Sequence, residues 1–269
     1  VTSLADDLNL ARRAADVADA ITLPGFLSRS FTVERKHDRS EVTDIDRTTE
    51  SELTALLRAE RPAYSVYGEE HGVVGPTDTR YQWVIDPIDG TSNFARGVPV
   101  WATLIALVHD DVPVLGVVSA PALGRCWWAT TGSGAYVAHS IGSSHGEARR
   151  LHVSDIVNLE DASASITVTE SWHAAGKTSQ LDALQRRVAR LRNYGDFWQH
   201  MMVAEGSLDI AIDAIGLGAY DIAAITTIVS EAGGMWSNRK GVADWRSNSL
   251  ITTNGRLHSA VIDALGGDR

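Results

Sequence analysis

Residues 82–94, QWVIDPIDGTSNF, run an apolar stretch straight into two aspartates three positions apart, followed by glycine and threonine. Val84 and Ile85 predict the close of a buried strand, so Asp86 emerges at its end, where open sheets present ligands to a crevice. Pro87 stiffens the turn and lets Asp89 come back toward the same point. Two carboxylates held that close repel, and one stays protonated unless a cation joins them. The fold must therefore seat a strand end on a carboxylate pair, and oxygen-only ligands select magnesium, calcium or manganese over zinc. Gly90 leaves room for a close approach, the amides of Gly90 and Thr91 suit a phosphate, and the Thr91 hydroxyl suits a water that must be oriented. An ordinary Asp-Pro turn explains Pro87 and Gly90 but leaves the second carboxylate and the threonine to coincidence.

The remainder of the chain narrows the partners. Its formal charge of −10, with no basic stripe to offset it, argues against nucleic acid. No apolar run is long enough to span a bilayer. Asp6, Asp7, Arg12, Arg13, Asp16 and Asp19 leave no apolar signal-peptide core in the first twenty positions, so a cytoplasmic location is expected. A single cysteine, Cys126, allows no internal disulfide, and no Cys/His cluster offers a zinc site. An acidic protein still binds a phosphorylated metabolite when its carboxylates hold divalent cations.

With 269 residues, the chain can bury a large core as one domain or two closely packed halves. A capping box at Ser3 and Asp6 predicts a first helix that stops at Pro24-Gly25. A second helix is expected over 46–61, with Leu53, Leu56 and Leu57 inward. YSVYG and WVID read as strands, VWATLIALVHDDVPVLGVVSAP as two strands turning at Asp110-Asp111, and CWWATT and GAYVA as continuations. His139 to Arg149 reads as a loop, ASITVT as a strand, Leu181 to Arg192 as a helix, and Asp221 to Gly233 as a helix with one apolar face. The class is α/β or α+β. Glu69 and Glu70 follow the YSVYG strand, and Asp221 falls at a helix N-cap. Taken alone these read as a solvated turn and a cap.

Taken in order, GEE, DPIDGTSNF and YDIAAITTIVSEAGG resemble the metal-dependent inositol monophosphatase superfamily, and KHDRSEVTDID is similar to its upstream segment at Lys36, Val42, Thr43 and Asp46. The resemblance covers nearly the whole chain. It implies a layered αβαβα sandwich forming one unit over 1–269, with halves of about 1–150 and 151–269, and a homodimer. It further implies that Glu69, Asp86, Asp89, Asp221 and the Ile88 carbonyl hold two magnesium ions, with Asp46 able to help a third. Glu69 and Thr91 would activate the attacking water, supported by Asp46, and Asp89, Gly90 and Thr91 would meet the phosphate.

RGVPVWATLIAL, VVSAPALGRCWWA and YGDF with VAEGSLDIA are similar to the actinobacterial histidinol-phosphate phosphatases of this superfamily. That likeness implies hydrolysis of histidinol phosphate in histidine biosynthesis. An inositol 1-phosphate or other sugar, cyclitol or amino-alcohol phosphatase is the alternative within the class; a catalytically silent phosphometabolite-binding protein is the alternative outside it. The departures fall at the alcohol end. Asp213 stands where the family usually has glutamate, AIGLGAY is one residue longer than usual, Tyr220 replaces a tryptophan, and Ser92 replaces a lysine frequent in relatives. Asp213, Asp196, Tyr194 and Arg192 are candidate substrate contacts, with Trp198 and His200 near them. Trp127 and Trp128 are expected in packing or a dimer interface.

Overall fold

The computed structural model describes residues 3–35, 41–141 and 144–266; Lys36 lies outside them. Helix α1 (Leu4–Ser28) opens on the expected capping box at Ser3 and Asp6. It runs through Pro24-Gly25 and ends at Arg29, with φ 57°. Proline removes one ladder donor, whereas Leu23 and Phe26 gain an apolar cluster with Ile88, Phe94 and Trp101 that holds the last turn in place. Strands β1 (Val33–Arg35) and β2 (Glu41–Thr43) form a small antiparallel ribbon. Helix α2 (Asp44–Glu60) then starts slightly earlier than predicted, because Thr43 is its cap and Asp46 closes the box.

Strands β3 (Ser65–Gly68), β4 (Gly72–Val74), β5 (Tyr81–Asp89), β6 (Ala102–His109), β7 (Val112–Ala120), β8 (Arg125–Thr130), β9 (Gly134–Ile141), β10 (Ser144–His145) and β11 (Arg149–Arg150) make a nine-stranded sheet among the described residues. The segment expected to be a loop holds the end of β9, all of β10 and the start of β11, because pairing of β10 and β11 with β9 overrides the turn-rich composition there. From β5 to β9 the sheet is an antiparallel meander, with β3 parallel to β5. Asp110 and Asp111, at φ 47° and 66°, turn β6 into β7 as expected.

The strands read as continuous apolar runs because both faces are covered. Trp83, Ile85, Ile105, Leu107, Val117 and Trp128 meet Leu10, Ala14, Leu53 and Leu57 of α1 and α2. Val84, Leu104, Val118 and Trp127 meet Ile222, Ile225 and Ile228 on the other face. Trp127 and Trp128 are thus packing within the chain. Cys126 is buried beside them, which pushes its thiol up to about 12.

A second sheet joins β12 (Ser163–Ile166), β13 (Arg190–Arg192), β14 (Ile210–Ile212), β15 (Met235–Ser237) and β16 (Ile251–Thr253). Helices α6 (Asp196–Ala204) and α7 (Ala219–Glu231) lie between the sheets; α4 (Glu170–Ala174), α5 (Thr178–Gln185) and α8 (His258–Ala264) pack with the second sheet around Trp172, Leu181 and Val261. The order is the αβαβα sandwich. The helix predicted over 181–192 is corrected: α5 ends at Gln185, and 190–192 pair in parallel with β12, so Arg192 is on an edge strand. A six-residue helix, α3 (Thr91–Arg96), follows β5. No helix among the described residues is long and apolar enough to cross a membrane.

Asp19 of α1 is buried against the large sheet, where its carboxylate accepts from the Ser119 hydroxyl at 2.8 Å. Burial raises it from 3.8 to about 7. A raised folded-state value means that the folded chain holds a proton the unfolded chain has already released, so stability falls as pH climbs from about 4 through 7. Asp19→Asn keeps the acceptor for Ser119 and is expected to raise the melting temperature by several degrees at pH 8 and hardly at all at pH 4. An equal effect at both pH values in thermal melts would remove the titration from the explanation.

Candidate metal centre

Strand β5 does not stop at Asp86. Its ladder with β6 continues to Asp89 across an irregularity between those two residues, which brings both carboxylates to one mouth of the sheet. Asp86 Oδ1 accepts from the Ile88 amide at 2.9 Å, fixing the turn around Pro87. Asp221 enters from the first turn of α7. It sits at the third helical position and not at the cap, Gly218 being the cap residue, and its carboxylate accepts from the Gly218 amide at 2.6 Å. Carboxylate oxygens of Asp86, Asp89 and Asp221 lie within 4.8 Å of one another.

Asp86 is buried, while Asp89 and Asp221 are partly buried. Burial raises Asp86 well above the carboxylate range, reinforced by Glu69, Asp221 and Asp89. Burial likewise raises Asp89, with Asp196 and Asp221 adding to it and the Phe197 amide opposing. Asp221 rises to about 7, again through burial first. The charged neighbours that raise all three are carboxylates. A largely buried cluster of like charges presenting only oxygen fits hard divalent cations, which remove the repulsion that protons otherwise relieve.

Glu69 sits in the turn after β3, close enough to act on Asp86, Asp221 and Asp46. Asp46 is fully buried, receives the Thr43 amide and hydroxyl at 2.9 and 2.5 Å, and is raised by burial to about 6. The Thr91 hydroxyl lies 3.1 Å from Asp46 Oδ1 and 2.9 Å from the Ile88 carbonyl oxygen. Gly90 is the cap of α3 at φ 83°, and a Cβ there would press on the Val100 carbonyl at 3.0 Å.

The alcohol-end candidates divide. Asp196 has φ 48°, accepts from the Asn93 amide nitrogen at 2.7 Å, and is raised by burial and by Asp213 to about 6. The next amide, Phe197 N, donates to Asp89 at 2.7 Å, so the start of α6 leans directly on the cluster. Asp213 acts on Asp89, Asp196 and Asp221; its Oδ2 meets His200 Nε2 at 3.1 Å and its Oδ1 accepts from the Ala214 amide at 2.7 Å. His200 is fully buried and held on its other nitrogen by Thr252 at 2.9 Å. Tyr194 packs edge-on against Trp198 with ring centroids 5.5 Å apart. Arg192 is exposed and donates to the Leu191 carbonyl, without an ion pair to the clustered carboxylates among the described residues.

Asn93, which donates to Asp196, is a residue the sequence reading does not single out, although it stands inside the DGTSN stretch. Tyr220 faces Tyr67 edge-on at 6.1 Å, and burial followed by Glu69, Asp221 and Asp86 drives its phenol upward. It thus borders the same carboxylate cluster.

Fold and site together define an α/β sandwich that gathers a cluster of carboxylates where β5 meets α7. The chain belongs to the inositol monophosphatase family, a metal-dependent family whose model matches residues 4–266. A histidinol-phosphatase of Streptomyces coelicolor is 45% identical, with 97% of each chain covered, and one of Mycobacterium tuberculosis is 44% identical over 97% of this chain and 98% of that protein. Among solved structures, the extragenic suppressor protein suhB of Bartonella henselae superposes with a TM-score of 0.86 at 27% identity, covering 97% of this chain and 98% of that one.

Proposed function

We propose that this chain is a magnesium-dependent phosphoric monoester hydrolase that converts L-histidinol phosphate and water to L-histidinol and phosphate. The observation that carries the substrate is the 45% identity, over nearly the full length of both chains, to a protein named histidinol-phosphatase. The alcohol end supports it: the carboxylates of Asp196 and Asp213 lie beside Asp89 and suit an ammonium group.

Glu69, Asp86, Asp89, Asp221 and the Ile88 carbonyl would hold two ions, and Asp46 would help a third. Bound magnesium supplies Lewis acidity, lowering the pKa of water and neutralising phosphoryl charge. Thr91, with its hydroxyl proton engaged by Asp46 or the Ile88 carbonyl, offers its lone pairs to the attacking water and so sets its orientation. Glu69 takes up the water's proton. Gly90 and Thr91 present amides to the phosphate. No side chain need act as nucleophile, so displacement proceeds without a covalent phosphoenzyme. The same reading makes the chain a cytoplasmic homodimer of histidine biosynthesis, with 1–269 as one catalytic unit; a monomer by light scattering would remove the dimer.

The test is phosphate release from histidinol phosphate, inositol 1-phosphate, fructose 1,6-bisphosphate and 3′-phosphoadenosine 5′-phosphate. A strong preference for the first is expected, and comparable weak rates on all four would sink the substrate assignment. Asp213→Asn sharpens it. Loss of one charge-assisted hydrogen bond is expected to raise KM for histidinol phosphate about 10- to 100-fold, leaving kcat within a few fold. An unchanged KM would take Asp213 out of the binding site.

A further inference from the structure

The turn that carries Glu69 is held from below by a second carboxylate. Glu50 lies on α2, one turn beyond Asp46, and its side chain is only 1% exposed. Its Oε2 accepts from the Glu70 amide at 2.8 Å; its Oε1 accepts from the His71 amide at 2.7 Å and faces His71 Nδ1 at 3.0 Å. A carboxylate buried to that degree is strongly unfavourable without donors, and here two backbone amides and a histidine ring nitrogen converge on it. Both backbone donors belong to the residues immediately after Glu69. The approach depends on residue 68 being glycine, since a Cβ at that position would overlap the Glu50 carboxylate.

We propose that Glu50 is a positioning residue that fixes turn 68–71 so that Glu69 faces the carboxylate cluster. Helix α2 then sets two loops with one face: Asp46 meets the Thr91 hydroxyl after β5, and Glu50, four residues on, holds the turn after β3. Glu69 and Thr91, which come from different strands, are thereby registered against each other by one rigid element. The proposal rests on the reading of Glu69 as a ligand and water-activating group.

The experiment compares the full wild-type chain with Glu50→Gln. Glutamine keeps the shape but turns a donor toward one of the two amides. Amide exchange in residues 69–72 is expected to accelerate, and the magnesium dissociation constant, by titration calorimetry, to rise about 10- to 100-fold, as when groups behind a metal ligand are removed. Excess magnesium should restore most of kcat. A lower melting temperature with unchanged magnesium affinity and unchanged exchange would overturn the proposal, because that is what simple packing gives. Should Glu50→Gln not fold, two measurements still decide. In the wild type, the Glu70 and His71 amides must exchange far more slowly than unprotected ones, and fast exchange overturns the proposal. His71→Ala, altered on a half-exposed side chain, must loosen the same segment and weaken magnesium a few fold; no change in either overturns it. A wild type that binds no magnesium defeats the metal reading instead, and exchange then decides the hold of Glu50 on the turn.

Discussion

Asp89→Asn is expected to lower phosphate release by about a thousandfold or more at every magnesium concentration while leaving the chain folded. Asp89 joins the carboxylate cluster to the start of α6. Its carboxylate lies within 4.8 Å of those of Asp86 and Asp221, and its Oδ2 accepts from the Phe197 amide that opens α6. Asparagine preserves that hydrogen bond through its carbonyl oxygen, so the helix start keeps its anchor. It removes the charge that Asp196, Asp221 and Asp213 all oppose. The variant should therefore melt higher than wild type in chelator at neutral pH, although it is inactive. Full turnover at saturating magnesium, or a lower melting temperature in chelator, would count against the metal centre.

Magnesium itself should be the largest single stabiliser of the native chain. A ligand that binds only the folded state at a hundred times its dissociation constant contributes about 2.7 kcal/mol, or roughly 5 to 10 °C for a chain of this size. The pH dependence has a definite sign. Asp221 is raised to about 7, and Asp46 and Asp196 to about 6, from 3.8. In chelator the folded chain keeps these protons after the unfolded chain has lost them, so stability is greatest at the acid end of the window and falls as pH rises from about 4 through 7. Magnesium competes with those same protons. Its stabilising effect should grow over the same interval, and melting curves with and without the cation should converge near pH 4 and part near pH 8. A magnesium effect that is flat across pH would mean that the ions bind elsewhere.

The gathering of Asp86 and Asp89 at one point was legible in the sequence because short-range geometry makes it: Asp86 to Thr91 lie on one strand end and one turn, and Pro87 and Gly90 restrict what that turn does. Glu69 and Asp221 were legible only through their resemblance to a family, since a strand end or a first helical turn carries a carboxylate for ordinary reasons. The position of Asp221 inside α7 differs from the expected cap because glycine took that role, freeing the aspartate to face both Gly218 and the cluster. Contacts distant in sequence decide the segments where the structure differs from expectation. Residues 190–192 have helical composition, yet they complete a sheet edge beside β12, and Pro24 is carried along by the apolar cluster around Phe26. His200 with Asp213, and Glu50 with the Glu69 turn, join residues 13 and 20 positions apart through hydrogen bonds. No local pattern announces such pairs.

Initial rates of phosphate release from L-histidinol phosphate, measured on one preparation as magnesium is titrated in from chelator, test the central claim most directly. The expected result is no release in chelator and a saturable rise with magnesium that Asp89→Asn abolishes. Release that persists in chelator, or none at any magnesium concentration, would contradict it.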